Sequence, residues 1–345
     1  MRRLAIFMAL AALTSCTRRD LSDVACGSQS SGEAADIQVT IDWSQSGFET
    51  DEQSKSGELD IHRVSLRFFP TDGSTPFDRY LEGDVQSGVI NVPIGEYSVV
   101  IFNESIYDPY WSDAIAFEDV DSYELFAAEI VDQDAELYDF YSPADDERLS
   151  VEVLQLSSCS IDSFVVTEAM CTSSQEQWSD EDIATAQQLN PATPRRLTCS
   201  TTIEVDTENL ASAYYVYASL TGLAHRVFMA SGETDNATTT HVGELTQRSW
   251  HDEEQQHGVI YQSRLTFSTP ATTSTHILTL DVILTNGSRH SPEQEMAYEV
   301  SDQILKVATR YADDDLGASV SLSLPEVSGD VEVEDWDDDN IITIL

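Results

Sequence analysis

The chain has 345 residues and a heavy excess of acid: 62 Asp and Glu against 17 Lys and Arg give a formal net charge of −45 at pH 7, and 41% of the side chains are apolar. That balance excludes nucleic acid and anionic headgroups as partners of the folded body, because both are held through basic contacts to phosphate; its plain consequence is solubility through self-repulsion. Length and apolar content together suffice for two hydrophobic cores of ordinary size.

Residues 1–16 run from a basic start (Arg2, Arg3) through an apolar stretch, Leu4 to Leu13, to Leu13-Thr14-Ser15-Cys16. This is the order of a bacterial lipoprotein signal peptide spanning 1–15. The apolar stretch is roughly half of the ~20 residues a spanning helix needs, so it reads as a leader to be removed. Cys16 is the expected lipidation site: its thiol takes a diacylglycerol, cleavage leaves it as the new N-terminus, and two or three acyl chains hold a protein to membrane lipid far more firmly than one. Residues 16–35 are polar, rich in Ser, Gly and Asp, and read as a flexible tether.

From residue 36 the pattern is short segments of period-two alternation bounded by turn residues. Ile37, Val39 and Ile41 alternate with polar neighbours, and His62, Val64, Leu66 and Phe68 share a strand face opposite Arg63, Ser65 and Arg67. Both segments predict half-buried strands with the arginines facing outward. Pro70-Thr71-Asp72-Gly73 predicts a turn. Strands are expected at 89–93 and 97–102, joined as a hairpin through Ile94-Gly95-Glu96, and then at 114–117, 123–130, 149–156 and 161–167. Residues 36–170 form the first expected β-sandwich domain.

Between 171 and 196 the pattern changes. Ser179-Asp180-Glu181-Asp182 is set to cap a short helix that Asn190-Pro191 would end, and the stretch reads as a linker. Strand patterning resumes at 197–205 and continues at 214–220, 226–230, 259–267, 277–284, 320–324 and 331–336. Residues 197–345 form the second expected sandwich, so the fold class is all-β.

No GxSxG, HExxH, GxGxxG or P-loop occurs, which argues against an enzyme, and no cofactor is expected. Cys26, Cys159, Cys171 and Cys199 lack any CxxC spacing; an exported chain permits disulfides, and Cys159 with Cys171 or Cys199 is the favoured pairing. His251-Asp252-Glu253-Glu254-Gln255-Gln256-His257 collects metal-ligand types, but two histidines six apart suit neither a helix face nor the usual zinc spacings, so it reads as a solvated loop. His62, His225, His241, His276 and His290 are scattered. Asp335, Asp337 and Asp339 resemble the opening of a calcium loop. The glycine at its sixth position is missing and its twelfth would fall beyond Leu345, so a solvated acidic turn is expected rather than a metal site, and Asp313-Asp314-Asp315 is read likewise. Tyr110, Trp111, Trp178 and Trp250 are the aromatics considered for glycan binding. Ile341-Ile342-Thr343-Ile344-Leu345 is an apolar strand that needs a partner edge; it either completes its own sandwich or inserts into a neighbouring subunit.

Several of these segments together resemble a known family. Cys16 followed by Arg18-Arg19-Asp20-Leu21, Val39-Thr40-Ile41-Asp42-Trp43, the run from Phe68 to Gly73, Pro93-Ile94-Gly95-Glu96-Tyr97 continuing to Asn103, Val300-Ser301-Asp302-Gln303-Ile304 and Val333-Glu334-Asp335-Trp336-Asp337-Asp338 are similar to segments of fimbrillin-like lipoproteins of the Bacteroidales. The resemblance implies two tandem transthyretin-like (fimbrillin-type) β-sandwich domains, an outer-membrane lipoprotein exposed at the cell surface, and kinship with fimbrial anchor and accessory subunits and pilins. It implies structural roles for Gly95 (a turn), Pro93 (a strand end) and Trp43 and Trp336 (packing), and no catalytic residue. The expected function is a fimbrial anchor, accessory subunit or adhesin, whose partners are fimbrial subunits or host ligands. The alternative is a glycan-binding lipoprotein of polysaccharide uptake, which would place exposed aromatics together on one face. A polymerising pilin would need cleavage after an arginine such as Arg63 or Arg67.

Overall fold

The computed structural model describes residues 34–46, 61–104, 114–133, 148–151, 153–172, 175–253, 256–267, 275–290, 297–303 and 316–327. Cys16, Cys26, Tyr110, Trp111, residues 313–315, Asp335, Asp337, Asp339 and the segment 341–345 lie outside them.

In chain order the strands of the first half are β1 (Ala34–Thr40), β2 (Arg63–Pro70), β3 (Phe77–Glu82), β4 (Ser87–Pro93), β5 (Gly95–Glu104), β6 (Ile115–Glu118), β7 (Ala127–Ile130), β8 (Leu149–Ser150) and β9 (Ser157–Val166). Two short helices follow, α1 (Glu168–Thr172) and α2 (Asp180–Gln187). The remaining strands are β10 (Arg195–Arg196), β11 (Thr198–Glu208), β12 (Ala213–Ala224), β13 (Arg226–Phe228), β14 (Thr238–Glu244), β15 (Gln247–Trp250), β16 (His257–Phe267), β17 (Ile277–Leu284), β18 (Arg289–His290), β19 (Ala297–Glu299) and β20 (Leu316–Ser323). The chain is all-β and builds two sandwiches in tandem.

The first sandwich packs the antiparallel β1–β4 ribbon on a five-stranded sheet of order β10-β9-β5-β2-β3. Ile37 and Val39 of the ribbon meet Val64, Leu66, Phe68, Val99, Ile101 and Phe164 of the sheet in one core. Because side chains alternate along a strand, Val100 and Phe102 point the other way. There they join Phe69, Phe126, Ile130, Val227 and Phe267 in a separate core. A sheet covered on both faces explains the unbroken apolar run Val99-Val100-Ile101-Phe102 within β5.

The second sandwich sets β15-β16-β11-β20 against a sheet of order β18-β17-β12-β14-β8, with β19 also paired to β17. Val205, Val216, Leu220, Ile260, Leu280 and Ala318 fill the space between. β20 runs parallel to β11, and β8 parallel to β14. A small sheet, β13-β7-β6, pairs Ala127–Ile130 with Arg226–Phe228 and carries the core that lies behind β5.

Several expectations are corrected. β2 is buried on both faces rather than half-buried, since the arginine face is covered by Val120, Phe126 and Tyr80. Residues 93–97 are not a hairpin: β4 pairs with β1 while β5 pairs with β2 and β9, so the chain crosses here from one sheet to the other. The Tyr97 hydroxyl bonds the carbonyls of Pro93 and Ile94 across the corner, at 3.0 and 3.3 Å. Its ring packs over Gly95, where an added Cβ would lie 2.6 Å from the Tyr97 hydroxyl, so the glycine serves close approach rather than a positive φ. The expected strands 123–130 and 149–156 shrink to β7 and the two residues of β8, because turns take residues 120–125 and residues 153–156 run outside any strand. Other expectations hold. Gly73 closes the β2–β3 turn at φ +81, Trp43 is buried with its indole N–H donating to the Val85 carbonyl at 3.0 Å, and Ser179 caps α2 through a reciprocal bond with Asp182.

Candidate functional site

The outward face of β12 carries a tyrosine platform. Val216, Ala218 and Leu220 enter the core, so the residues between them face away from it, and an irregularity between Ala213 and Tyr215 brings Tyr214 beside this row. Tyr215 and Tyr217 stack with ring centroids 5.9 Å apart and planes 26° apart, and Tyr214 meets Tyr215 edge-on at 4.3 Å. Tyr214 is exposed and the other two are half-buried. Neighbouring strands frame the row with charge. Tyr217 stands in register with Glu244 of β14 and Asp281 of β17. Arg289 holds the buried Asp281 carboxylate at 2.6 Å, and Arg248 donates to the carbonyls of Ala213 and Tyr214, both at 3.0 Å. The Tyr217 phenol is pushed up by burial and by the two carboxylates, and the Tyr215 phenol by its hydrogen bond with Tyr214. Both therefore remain neutral hydroxyls, flat and apolar on their faces and polar at their tips. Aromatic rings bordered by acceptors and a guanidinium form a surface suited to a polyhydroxylated ligand.

The tip of the β15–β16 hairpin is a second cluster. The ends of the expected loop, His251 and His257, are brought face to face by the paired strands, with the His251 N–H donating to the His257 carbonyl at 2.8 Å. Asp206 of β11 stands beside them, its Oδ1 2.9 Å from His257 Nε2 and 3.8 Å from His251 Nε2. Spacing along the chain concealed this arrangement, because hairpin pairing and not helical periodicity makes the two histidines neighbours.

The remaining sequence candidates separate. No disulfide joins Cys159, Cys171 and Cys199, which corrects the favoured pairing. Cys171 Sγ lies 3.4 Å from the Thr167 carbonyl and Cys199 Sγ 3.6 Å from that of Thr266, so each sulfur is directed to its own local partner. Cys159 lines a cleft of about 300 Å³ with Ser158, Thr193 and Arg195. Burial pushes its thiol up to about 12, which leaves no thiolate for nucleophilic chemistry near neutral pH. Trp178 and Trp250 pack against the first and second cores rather than forming a platform. Arg63 and Arg67 are buried in ion pairs with Glu104 and Asp78.

Comparison with known proteins places the chain in a family. The model of a family described as a domain of unknown function, DUF5119, matches residues 15–243. The chain belongs to the DUF5119 family. The matched span contains the first sandwich and the tyrosine platform, while the β15–β16 hairpin follows it. No curated protein matches. Among solved structures, this DUF5119 chain is similar to a candidate adhesin of Bacteroides ovatus, with a TM-score of 0.54 and 17% identity over 92% of this chain and 99% of that one. It is also similar to the fimbrial anchor protein Mfa2 of Porphyromonas gingivalis, with a TM-score of 0.43 and 10% identity over 84% of this chain and 90% of that one. The first of these likenesses is one of fold and extends over both sandwiches.

Proposed function

We propose that this protein is a surface-exposed lipoprotein that serves as a fimbrial anchor, accessory subunit or adhesin, recognising its partner through a strand edge or loop face without covalent chemistry. The observation that carries the reading is the end-to-end likeness of fold to a candidate adhesin, joined to the lipidation motif at Cys16 and the acidic, self-repelling body. Acyl chains on Cys16 fix the base in the outer membrane. Among the described residues β3, β15 and β20 end their sheets, and a sheet end presents main-chain donors and acceptors to an added strand. The apolar segment Ile341–Leu345 is the strand such an exchange would use.

The test compares wild type with a chain truncated after Asn340, on intact cells, for a ladder of detergent-resistant high-molecular-weight assemblies. A ladder lost on truncation supports assembly through that segment. A single lipid-linked surface species leaves an anchor or adhesin and removes the polymerising pilin. A second reading, a glycan-binding lipoprotein, is favoured by the row of exposed Tyr214 and half-buried, near-parallel Tyr215 and Tyr217 on one outward face, since sugar rings stack on aromatic faces.

A further inference from the structure

Asp206, His251 and His257 come from β11, the end of β15 and the start of β16, three segments adjacent in one sheet. Asp206 pairs in register with Val259, two residues from His257, so the carboxylate and that imidazole are diagonal neighbours on one face. His251 reaches the same point because Trp250 pairs with Gly258. A Cβ at residue 258 would lie 2.5 Å from the Ser249 carbonyl oxygen and 3.2 Å from Trp250 Cα, so only glycine lets the hairpin strands close there. The turn is tied from the other side by Asp252, whose carboxylate accepts the Gln256 and His257 N–H groups at 2.8 and 2.9 Å. Trp250, at the turn end of β15, packs against the second core. The backbone that presents both histidines is therefore held by registered pairing and packing.

The donor atoms of these three side chains all lie within 4.8 Å of one another. Zinc bound by imidazole nitrogen and carboxylate oxygen at roughly 2.0–2.2 Å in a tetrahedron sets its ligand atoms about 3.3 Å apart. The separations of Asp206 Oδ1 from the two imidazole nitrogens, 2.9 and 3.8 Å, lie on either side of that value. We infer that Asp206, His251 and His257 form a binding site for a divalent late first-row transition metal, of which Zn²⁺ is the representative, with three protein ligands and one outward coordination position. Two imidazoles and one carboxylate suit this class of ion, whereas calcium and magnesium call for sites built from oxygen. The three side chains are 42–48% exposed, so the fourth position opens to solvent and can accept water or a donor from another molecule. The metal would join the hairpin tip to β11. This inference stands apart from the adhesin reading, because it rests on the hairpin alone.

The experiment is calorimetric titration of the full mature chain with Zn²⁺ in a non-chelating buffer, alongside His251→Ala, His257→Gln and the double variant, each checked for an unchanged circular-dichroism spectrum and melting temperature without metal. His251 is exposed at a turn, so its loss leaves the fold intact and the test falsifiable. The result expected is one equivalent of Zn²⁺ bound by wild type, at least tenfold weaker binding in each single variant, and loss of that equivalent in the double variant. Co²⁺ bound in place of Zn²⁺ should give wild type the intense visible absorption of a low-coordinate site, and the double variant should lack it. An unchanged isotherm in the double variant, which would assign all binding to the acidic surface, or no binding by wild type at millimolar Zn²⁺, overturns the inference.

Discussion

Arg67 Nη1 bridges both carboxylate oxygens of Asp78, at 2.9 and 2.8 Å, in a pair whose side chains are only 4% and 7% exposed. The same guanidinium donates through Nε and Nη2 to the Val120 carbonyl, at 2.9 and 2.7 Å, and so pins the chain between β6 and β7 onto the five-stranded sheet. Burial pushes the Asp78 carboxyl above its ordinary range in spite of Arg67, so desolvation outweighs the attraction. Breaking such a pair costs more than replacing it. Arg67→Met is expected to lose about 3–5 kcal/mol in urea unfolding, by leaving a buried carboxylate alone. Arg67→Met with Asp78→Val should fall within about 2 kcal/mol of wild type, the remainder being the orphaned Val120 carbonyl. The same burial predicts that trypsin leaves the bonds after Arg63 and Arg67 intact in the folded protein. A double variant no more stable than Arg67→Met would contradict this account.

Gly222 stands at an irregularity in β12 with φ +85, and a Cβ there would lie 2.7 Å from His276 Nδ1 and 2.8 Å from the Thr275 carbonyl oxygen. Gly73 has a similar φ of +81 but open space around it. Gly222→Ala should therefore cost about 2–4 kcal/mol and Gly73→Ala about 1 kcal/mol, the second value being the backbone contribution alone. Equal shifts in the urea midpoint would show that the close contact at Gly222 is not what holds its place.

His241 is buried on β14, and burial first, then the Arg264 charge, brings its imidazole down to about 3. It is neutral in the folded state, while an unfolded histidine takes up a proton near pH 6.5. Its contribution is therefore fully present above that value and declines as pH falls toward 3, because the unfolded state binds more protons. Compared with His241→Asn, which cancels the titration of the other groups, wild type should lose about 2 kcal/mol of its relative stability between pH 7 and pH 5. Denaturant unfolding at the two pH values reads the difference. A constant gap would place the titration elsewhere.

Much of the fold was legible from period-two alternation. β1, β4, β12 and β17 were readable because their main apolar row enters one core and their polar residues do not. What escaped did so for physical reasons. β14, Thr238-Thr239-Thr240-His241-Val242-Gly243-Glu244, is buried through hydroxyls and an imidazole rather than through aliphatic side chains, so it has no apolar period to read. The outward direction expected for Arg63 and Arg67 failed because a chain segment some fifty residues away covers that face, and periodicity reports two faces without saying what covers them. The 93–97 corner reads like a hairpin locally, since partner choice is a long-range property. Strand patterning along 214–220 placed the tyrosines on a strand, but their exposure and the charges around them depend on β14 and β17. Of the Asp206–His251–His257 cluster only the two histidines were visible, as a spacing that suited no metal; Asp206 is distant in sequence, and pairing of β15 with β16 makes the histidines neighbours.

Tyr215→Ala with Tyr217→Ala removes a stacked, half-buried pair on an outward face without opening the core. Stability should change by less than about 1 kcal/mol, as surface substitutions do. On a glycan array, any polysaccharide retained by wild type should lose at least tenfold in affinity in this variant. Retention by both to the same degree would remove the platform from the glycan reading.

Attachment at Cys16 tests the central claim most directly. Intact cells expressing wild type or Cys16→Ser are treated with a membrane-impermeant biotin reagent, and the membrane fraction is assayed for labelled palmitate on the protein. Wild type should be acylated, sediment with the outer membrane and be biotinylated on intact cells; Cys16→Ser should carry no acyl chain and be lost from the surface. A Cys16→Ser chain as membrane-bound and as accessible as wild type, or a wild-type chain shielded in intact cells, would contradict display through that cysteine.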